Sequence, residues 1–215
     1  TTVGQVARAL ERRALGHGAP VTVLSCDNLQ ANGATTRTVV RDFLEAAGAD
    51  QDVLDWVDAS VTFPSSMVDR IVPASTDHDA REVHRLTGLV DTAPVAAERF
   101  SMWVLEDRFA AGRPAWEHGG AVFSADVEAY ELVKLRLLNG THSLIAYLGA
   151  LDGRETIPEA RAQGFVERAA RAVIEDEYLP SVPLPDGFVP EAYVAQLFDR
   201  WSNTALGHRT SQVGS

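Results

Sequence analysis

The feature that most constrains how this chain can fold is a helix-length stretch, Asp126 to Leu151, that is apolar over nearly its whole circumference. At about 100° per residue, its leucine, valine and isoleucine side chains point in almost every direction, and a helix of that kind is buried. Helical patterns continue over residues 156–179 and 190–201, and no strand pattern follows Phe123. The second half of the chain is therefore predicted to be all-helical.

The first 122 residues instead alternate between strand and helix patterns, which is typical of an α/β fold. Helical periodicity covers residues 2–15, 32–47, 50–57 and 78–87, and short apolar or β-branched runs predict strands at residues 21–24, 61–63, 67–72 and 103–105. The pair Gly119-Gly120 lies close to the change of character. We therefore predict an α/β domain over residues 1–122 and a helical domain over residues 123–215.

Composition excludes several classes of protein. The chain is 46% apolar, which is enough for a sizeable core. Its 30 acidic residues outnumber 19 Lys and Arg, and the net charge of -11 disfavours nucleic acid as a partner. No apolar run is long enough to span a bilayer. The chain has one cysteine, Cys26, which excludes an internal disulfide framework and fits a reducing, cytoplasmic compartment. Because Cys26 follows a predicted buried strand, we expect it to be a small core residue.

Four polar residues interrupt the apolar helix within less than half of its circumference: Glu131, Lys134, Asn139 and His142. Burial lowers the pKa of a lysine, and a lysine with a lowered pKa can act as a general base near neutral pH. The same pattern is also compatible with a purely structural role, in which Lys134 pairs with Glu131 or Glu128 and His142 is a satisfied core histidine. Spacing alone leaves both interpretations open.

The spacing Lys-x4-Asn-x2-His, from Lys134 to His142, strongly resembles the signature of the polyol-specific long-chain dehydrogenases, the mannitol dehydrogenase and fructuronate reductase family. Three more stretches resemble the same family in the same order. They are Ser25-Cys26-Asp27-Asn28-Leu29 with Asn32-Gly33, the run from Phe63 to Ile71, and Gly112-Arg113-Pro114-Ala115-Trp116-Glu117. Together they cover the chain from about residue 20 to residue 210.

This resemblance implies a zinc-independent, NAD(P)-linked oxidation of an alcohol. It assigns Lys134 as the general base that takes the hydroxyl proton while hydride leaves for the nicotinamide. It assigns Asn28 and Asn139 as the amides that hold the developing alkoxide, which suits preorganised hydrogen-bond donors. It implies that His142 binds and orients the substrate hydroxyls, and that Glu131 gates a proton route to solvent.

The resemblance also implies that Ser25 and Asp69 contact the cofactor, with the stretch around Asp69 beside the nicotinamide. The implied fold is the second half of a Rossmann-like cofactor domain followed by the start of a helical domain similar to that of 6-phosphogluconate dehydrogenases. No Gly-x-Gly-x-x-Gly phosphate turn occurs in the chain. We therefore expect a central fragment that alone binds NAD poorly and turns over little, from a parent that is a monomer or a small homo-oligomer.

The substrate is expected to be a small polyol, ketose or uronate, with no membrane or nucleic-acid partner, and the choice between NAD and NADP stays open. Two alternatives remain. A hydroxyacid dehydrogenase of the 6-phosphogluconate type would place lysine and asparagine closer, at Lys-x3-Asn; a non-catalytic acidic helical module would use an exposed apolar face to bind a protein. No metal site is predicted, because the six histidines are scattered and His78 and His84, on a polar helix, lack i,i+4 spacing.

Overall fold

The computed structural model describes residues 1–214, which form two compact units. The first unit combines residues 1–68 with 102–128, and the second combines residues 69–101 with the chain from residue 129 on. Each unit is therefore built from two separate stretches of sequence. The single division at residue 122 that the sequence suggests stays a prediction.

Most of the described residues lie in helices. The helices are α1 (Thr2–Leu15), α2 (Asn32–Ala46), α3 (Gln51–Ser60), α4 (Asp77–Thr87), α5 (Val127–Val133), α6 (Thr141–Leu151), α7 (Ile157–Arg161), α8 (Gly164–Ala172), α9 (Leu179–Ser181), α10 (Pro190–Trp201) and α11 (Thr210–Val213). The strands are β1 (Val21–Thr22), β2 (Val61–Thr62), β3 (Ser66–Asp69), β4 (Met102–Leu105) and β5 (Val122–Phe123).

The first unit is an α/β assembly whose core lies between α1, α2 and α3. Leu10 of α1, Val40 of α2 and Val57 of α3 are all buried in one apolar cluster. Strands β1 and β2 pair in parallel, with Val21 opposite Val61, and a crossover through α2 and α3 connects them. Strands β3, β4 and β5 form a second sheet in that order. The four predicted strands are present; β1, β2 and β3 are shorter than the runs that predict them, and β4 begins one residue earlier than predicted.

Gly33, in the first turn of α2, lies against the backbone that follows β2. A Cβ at this position would come within 2.5 Å of the Phe63 carbonyl oxygen and 2.6 Å of the Ser65 nitrogen. Its neighbour Asn32 is buried and ties the same two segments together, because its amide accepts from the Ser66 N–H at 2.9 Å and donates to the Ser66 carbonyl at 2.7 Å. The Asn-Gly pair thus packs the start of α2 onto this loop.

We expect Gly33→Ala to destabilise the protein, because the atoms that the new methyl meets are backbone and cannot rotate away. Overpacking of this kind costs about 1–3 kcal/mol in the free energy of unfolding. Gly119→Ala is the matched control, since a Cβ there meets no atom within 4 Å. Urea unfolding of both variants in the full-length protein measures the difference; equal midpoints for the two would contradict the expected close contact.

The regular elements that the structure describes in the second unit are helices, apart from its first residue, Asp69, which ends β3. The predicted long helix runs from Val127 to Leu151 and is buried along most of its length, as its apolar circumference requires. Its middle, Lys134–Gly140, is π-helical, and so is a second segment, Val173–Tyr178, which follows α8 without a break. The regular periodicity of the sequence does not predict either segment.

The α/β-then-helical order is confirmed. Among residues 1–214 no strand follows β5, although an isolated bridge joins Thr156 to Arg209. Helix α4 has no buried residue and carries His78 and His84 on its surface, as predicted. Within the described residues, no helix has both the length and the apolarity that crossing a membrane requires.

Candidate active site

Lys134 begins the π-helical segment and is one of the few buried charged residues, with only 8% of its surface exposed. Burial lowers the pKa of its ammonium group below the ordinary 10.5. The negative charges of Asp69 and Glu131 oppose this shift, and the positive charge of Arg200 adds to it. Glu131, one turn earlier on the same helix, is itself buried. The arrangement favours a lysine that gives up its proton more readily than a lysine in water.

Asn139 and His142 lie on the same continuous helix as Lys134. Asn139 is half-buried near the end of the π-helical segment, and His142 is buried in the first turn of α6. The pKa of His142 is lowered to about 3 by burial, with smaller contributions from the neighbouring His208 and Arg200. His142 is therefore neutral near pH 7. Its Nε2 atom is buried and makes no hydrogen bond within residues 1–214.

Two aromatic rings lie next to the ring of His142. The ring of His208 meets it edge-on with centroids 4.8 Å apart, and the indole of Trp201 lies at 6.2 Å. His208 is only half-buried, and its own pKa is lowered by burial against the opposing charge of Glu98. The imidazoles of His142 and His208, both with lowered pKa values, are therefore in contact, near Trp201 at the buried C-terminal end of α10.

Asp69 is paired with a buried arginine, Arg200, which donates hydrogen bonds to both of its carboxylate oxygens. Arg200 donates to Oδ1 at 2.7 Å and to Oδ2 at 3.0 Å, and the hydroxyl of Tyr193 lies 3.3 Å from Oδ2. Burial raises the pKa of Tyr193 and the charge of Asp69 raises it further, so the phenol stays protonated. The structure thus gives Asp69 a place in an ion-pair network; its contact with a cofactor stays a prediction.

Glu98 completes this network. Arg200 donates to it from Nη2 at 2.7 Å and from Nε at 3.0 Å, and the Ile71 N–H donates to Glu98 Oε1 at 2.6 Å. Burial alone would lower the pKa of Arg200, but the hydrogen bonds that it donates to Asp69 and Glu98 outweigh burial and raise its pKa. The guanidinium of Arg200 therefore pairs with two buried carboxylates, and the negative charge of one of them, Asp69, raises the pKa of Lys134.

The other two predicted site residues lie in the first unit, in the loop that follows β1. Asn28 is exposed, and its backbone N–H donates to the Asp27 carboxylate at 2.9 Å. Ser25 is half-buried, and its carbonyl accepts from the Ser66 hydroxyl at 2.6 Å. This loop therefore lies at the carboxyl end of a parallel strand, the end at which α/β sheets bind ligands.

The expectation that Cys26 is a core residue is wrong, because its side chain is exposed. Strand β1 already ends at Thr22, so Cys26 lies in the loop and not behind a buried strand. Between residues 1 and 214 no three His, Cys, Asp or Glu side chains are grouped so that they could hold a metal ion. The assignment of Lys134, Asn139, His142, Asn28 and Glu131 as catalytic residues stays a proposal.

Sequence reasoning did not find Arg200, Glu98 or Tyr193. A signal for the arginine exists: Arg200 lies seven residues after Tyr193 and three after Leu197, on the apolar stripe of α10, where a charge needs a partner. No local pattern marks Glu98, because it lies in an irregular loop about a hundred residues away in sequence.

Comparison with known proteins agrees with this architecture. The family model described as the mannitol dehydrogenase Rossmann domain matches residues 1–118, and that described as the mannitol dehydrogenase C-terminal domain matches residues 126–215. Among curated relatives, a D-arabinitol 4-dehydrogenase of Ralstonia nicotianae is 45% identical over 94% of this chain, and a D-mannonate oxidoreductase of Escherichia coli is 40% identical over 99%.

A solved structure of Pseudomonas fluorescens mannitol 2-dehydrogenase, in a ternary complex with NAD and D-mannitol, superposes with a TM-score of 0.86 at 38% identity over 99% of this chain. The chain spans only 43% of that protein and 43% of each of the two curated relatives. The two family models together account for nearly all of its residues. This chain belongs to the mannitol dehydrogenase family.

Proposed function

We propose that the protein carrying this chain is an NAD(P)-dependent oxidoreductase that interconverts a polyol or sugar acid and its keto form, with Lys134 as general base and without zinc. The observation that carries the proposal is the environment of Lys134. A buried lysine with a lowered pKa shares one helix with an amide and a neutral imidazole, in a chain of the mannitol dehydrogenase family.

Lys134 must be neutral to accept a proton, and its burial favours the neutral form. In the oxidation direction its Nζ takes the proton of the substrate hydroxyl as the carbon–hydrogen bond breaks. In the reduction direction the ammonium returns that proton to the forming hydroxyl. In this proposal Glu131, which is buried one turn earlier, passes the proton on toward solvent.

Asn139 and Asn28 supply amide N–H donors, which stabilise negative charge on the substrate oxygen as the proton leaves. His142 contributes its Nε2, which is buried and makes no hydrogen bond within residues 1–214, to a substrate hydroxyl, and its low pKa keeps it neutral while it does so. A neutral imidazole adds no positive charge beside Lys134.

The cofactor fit can be tested on the residues of the first unit. The loop after β1 carries Ser25 and Asn28, and Asn32 ties it to the segment after β2 through hydrogen bonds to the Asp27 and Ser66 carbonyls. Polar groups in a loop at the carboxyl end of a parallel strand fit a dinucleotide, since this is the end at which α/β sheets bind ligands. The glycine-rich turn that would hold the pyrophosphate does not occur in these 215 residues. NAD, when bound, supplies the hydride acceptor.

The substrate class follows from these donors. The proposed set of two amides, one neutral imidazole and one base suits a chain of hydroxyls, as in a hexitol, a pentitol or the corresponding sugar acid. The test is NADH production or consumption by the full-length protein with a panel of hexitols, pentitols, ketoses and keto-acids, with and without a chelator. Turnover of at least one of these compounds that the chelator leaves unchanged supports the proposal; no turnover of any of them, or turnover abolished by the chelator, contradicts it.

The pH dependence of the two directions should be opposite. Because the oxidation needs neutral Lys134, its kcat/KM is expected to be low in acid, to rise as the pH passes the lowered pKa of Lys134, and then to level off. The reduction needs the protonated lysine and should fall over the same range. Rate profiles measured in both directions check this; an inflection at or above the ordinary lysine value of 10.5, or no common inflection, would contradict it.

A further inference from the structure

The π-helical segment Lys134–Gly140 changes which side chains share a face of the catalytic helix. In a regular α-helix, residues five apart are offset by about 140°, so Asn139 would point away from Lys134. A π turn closes its hydrogen bonds between residues five apart and thereby places them nearly above each other. The π turn therefore brings the amide of Asn139 toward the face that carries Lys134.

A close contact lies at the end of this π turn. Gly140 packs directly under the ring of Tyr178, so that a Cβ on Gly140 would come within 2.8 Å of the Tyr178 hydroxyl and 3.1 Å of two ring carbons. Tyr178 is half-buried and ends the other π-helical segment, Val173–Tyr178. The two π turns of the described chain thus meet at a glycine and a tyrosine, next to Asn139.

We propose that Gly140 and Tyr178 are positioning residues that hold the π turn and thereby aim Asn139 at the reacting oxygen beside Lys134. A π turn is rare, and it needs support from its surroundings to persist over the α-helical alternative. A Cβ on Gly140 would force the ring of Tyr178 to shift, so the contact as it stands favours a glycine and the backbone path in which Gly140 lies close to the ring. This proposal rests on the proposed function of Lys134 and Asn139.

Two variants of the full-length protein test the contact between Gly140 and Tyr178, one at each residue. Gly140→Ala pushes the ring away, and Tyr178→Ala removes it; both should lower kcat for polyol oxidation by about 10–100-fold, the scale of a misplaced catalytic group. KM should change much less, because Asn139 acts on charge that develops in the transition state. Tyr178→Phe keeps the ring and should retain most of the activity.

Gly149→Ala is the control for a purely structural effect. Gly149 lies on the same helix, and a Cβ there would come within 2.2 Å of the Ala160 Cβ, so this variant also disturbs helix packing. Distant from the π turn, it should lower the temperature of unfolding while kcat at low temperature stays near the parent value. If Gly140→Ala does not fold, Tyr178→Ala, which adds no atoms, decides the question.

The decisive readout is a double-mutant cycle with Asn139→Ala. If Gly140 acts through Asn139, adding Gly140→Ala to Asn139→Ala should lower kcat by no more than about twofold further. Additive losses would overturn the proposal, and so would a folded Tyr178→Ala with kcat near the parent value. If Asn139→Ala and Lys134→Ala themselves retain full activity, the proposed function fails instead, so the two failures are distinguishable.

Discussion

Replacement of Lys134 by alanine in the full-length protein should lower kcat for polyol oxidation by about 10²–10⁴-fold, the usual contribution of a general base. The side chain is buried and burial lowers its pKa, so the proposed mechanism makes it the group that accepts the hydroxyl proton. The alanine variant leaves no base at that place. The steady-state rate of NADH formation with the best polyol substrate measures the loss.

Two further variants distinguish the loss of the base from the loss of a positive charge and from a change elsewhere on the helix. Lys134→Arg keeps a positive charge that does not titrate below about pH 12, so it should be as inactive as the alanine variant. Arg136→Ala removes an exposed cation from the same helix and should leave kcat unchanged. A Lys134→Ala variant that folds and keeps kcat within about threefold of the parent protein would contradict the assignment of the lysine as base.

The second large effect is expected at Arg200. Arg200→Met keeps much of the side-chain volume but leaves Asp69 and Glu98 buried without their cation. Breaking a buried ion pair from one side costs about 3–5 kcal/mol, so the free energy of unfolding should fall by that amount. Urea unfolding of the full-length protein measures it, with Arg168→Met, which removes an exposed arginine from α8, as the control.

The network should also affect the base. Because the positive charge of Arg200 lowers the pKa of Lys134, Arg200→Met should move the inflection of the oxidation profile to higher pH. The double variant Asp69→Asn with Arg200→Met should lose less free energy of unfolding than the sum of the losses of the two single variants. The reason is that the double variant has no unpaired carboxylate at position 69. A pH profile that stays in place, with stability unchanged, would show that the network neither supports the fold nor influences the lysine.

Much of the fold could be predicted because most elements carry a local pattern. Helix α1 and helix α10 follow from the 3.6-residue spacing of their apolar residues, and the long helix around Lys134 follows from its apolar circumference. The strands are short because only two to four residues of each run pair with a neighbour. Burial of Lys134 could be predicted for the same reason as burial of the helix.

The details that could not be predicted depend on contacts between distant parts of the chain. Arg200 pairs with Asp69 and Glu98, more than a hundred residues away in sequence, and local periodicity contains no information on such pairs. The π turn at Lys134–Gly140 ends against Tyr178, which comes from a different helical segment. The π turn also affects how the spacing Lys-x4-Asn is interpreted. A π turn contains one residue more than an α turn, so Lys-x4-Asn in a π turn places the lysine and the asparagine on the same side of the helix, as Lys-x3-Asn does in an α-helix.

Chemical rescue of Lys134→Ala tests the role of this lysine as general base most directly. Small primary amines added to the full-length variant can occupy the space left by the side chain and accept the substrate proton in its place. We expect kcat for polyol oxidation to rise with amine concentration, and the rescued rate to increase with the basicity of the amine, as general-base catalysis requires. A folded variant that no amine reactivates, or whose rescued rate is independent of amine basicity, would contradict a general-base role for Lys134.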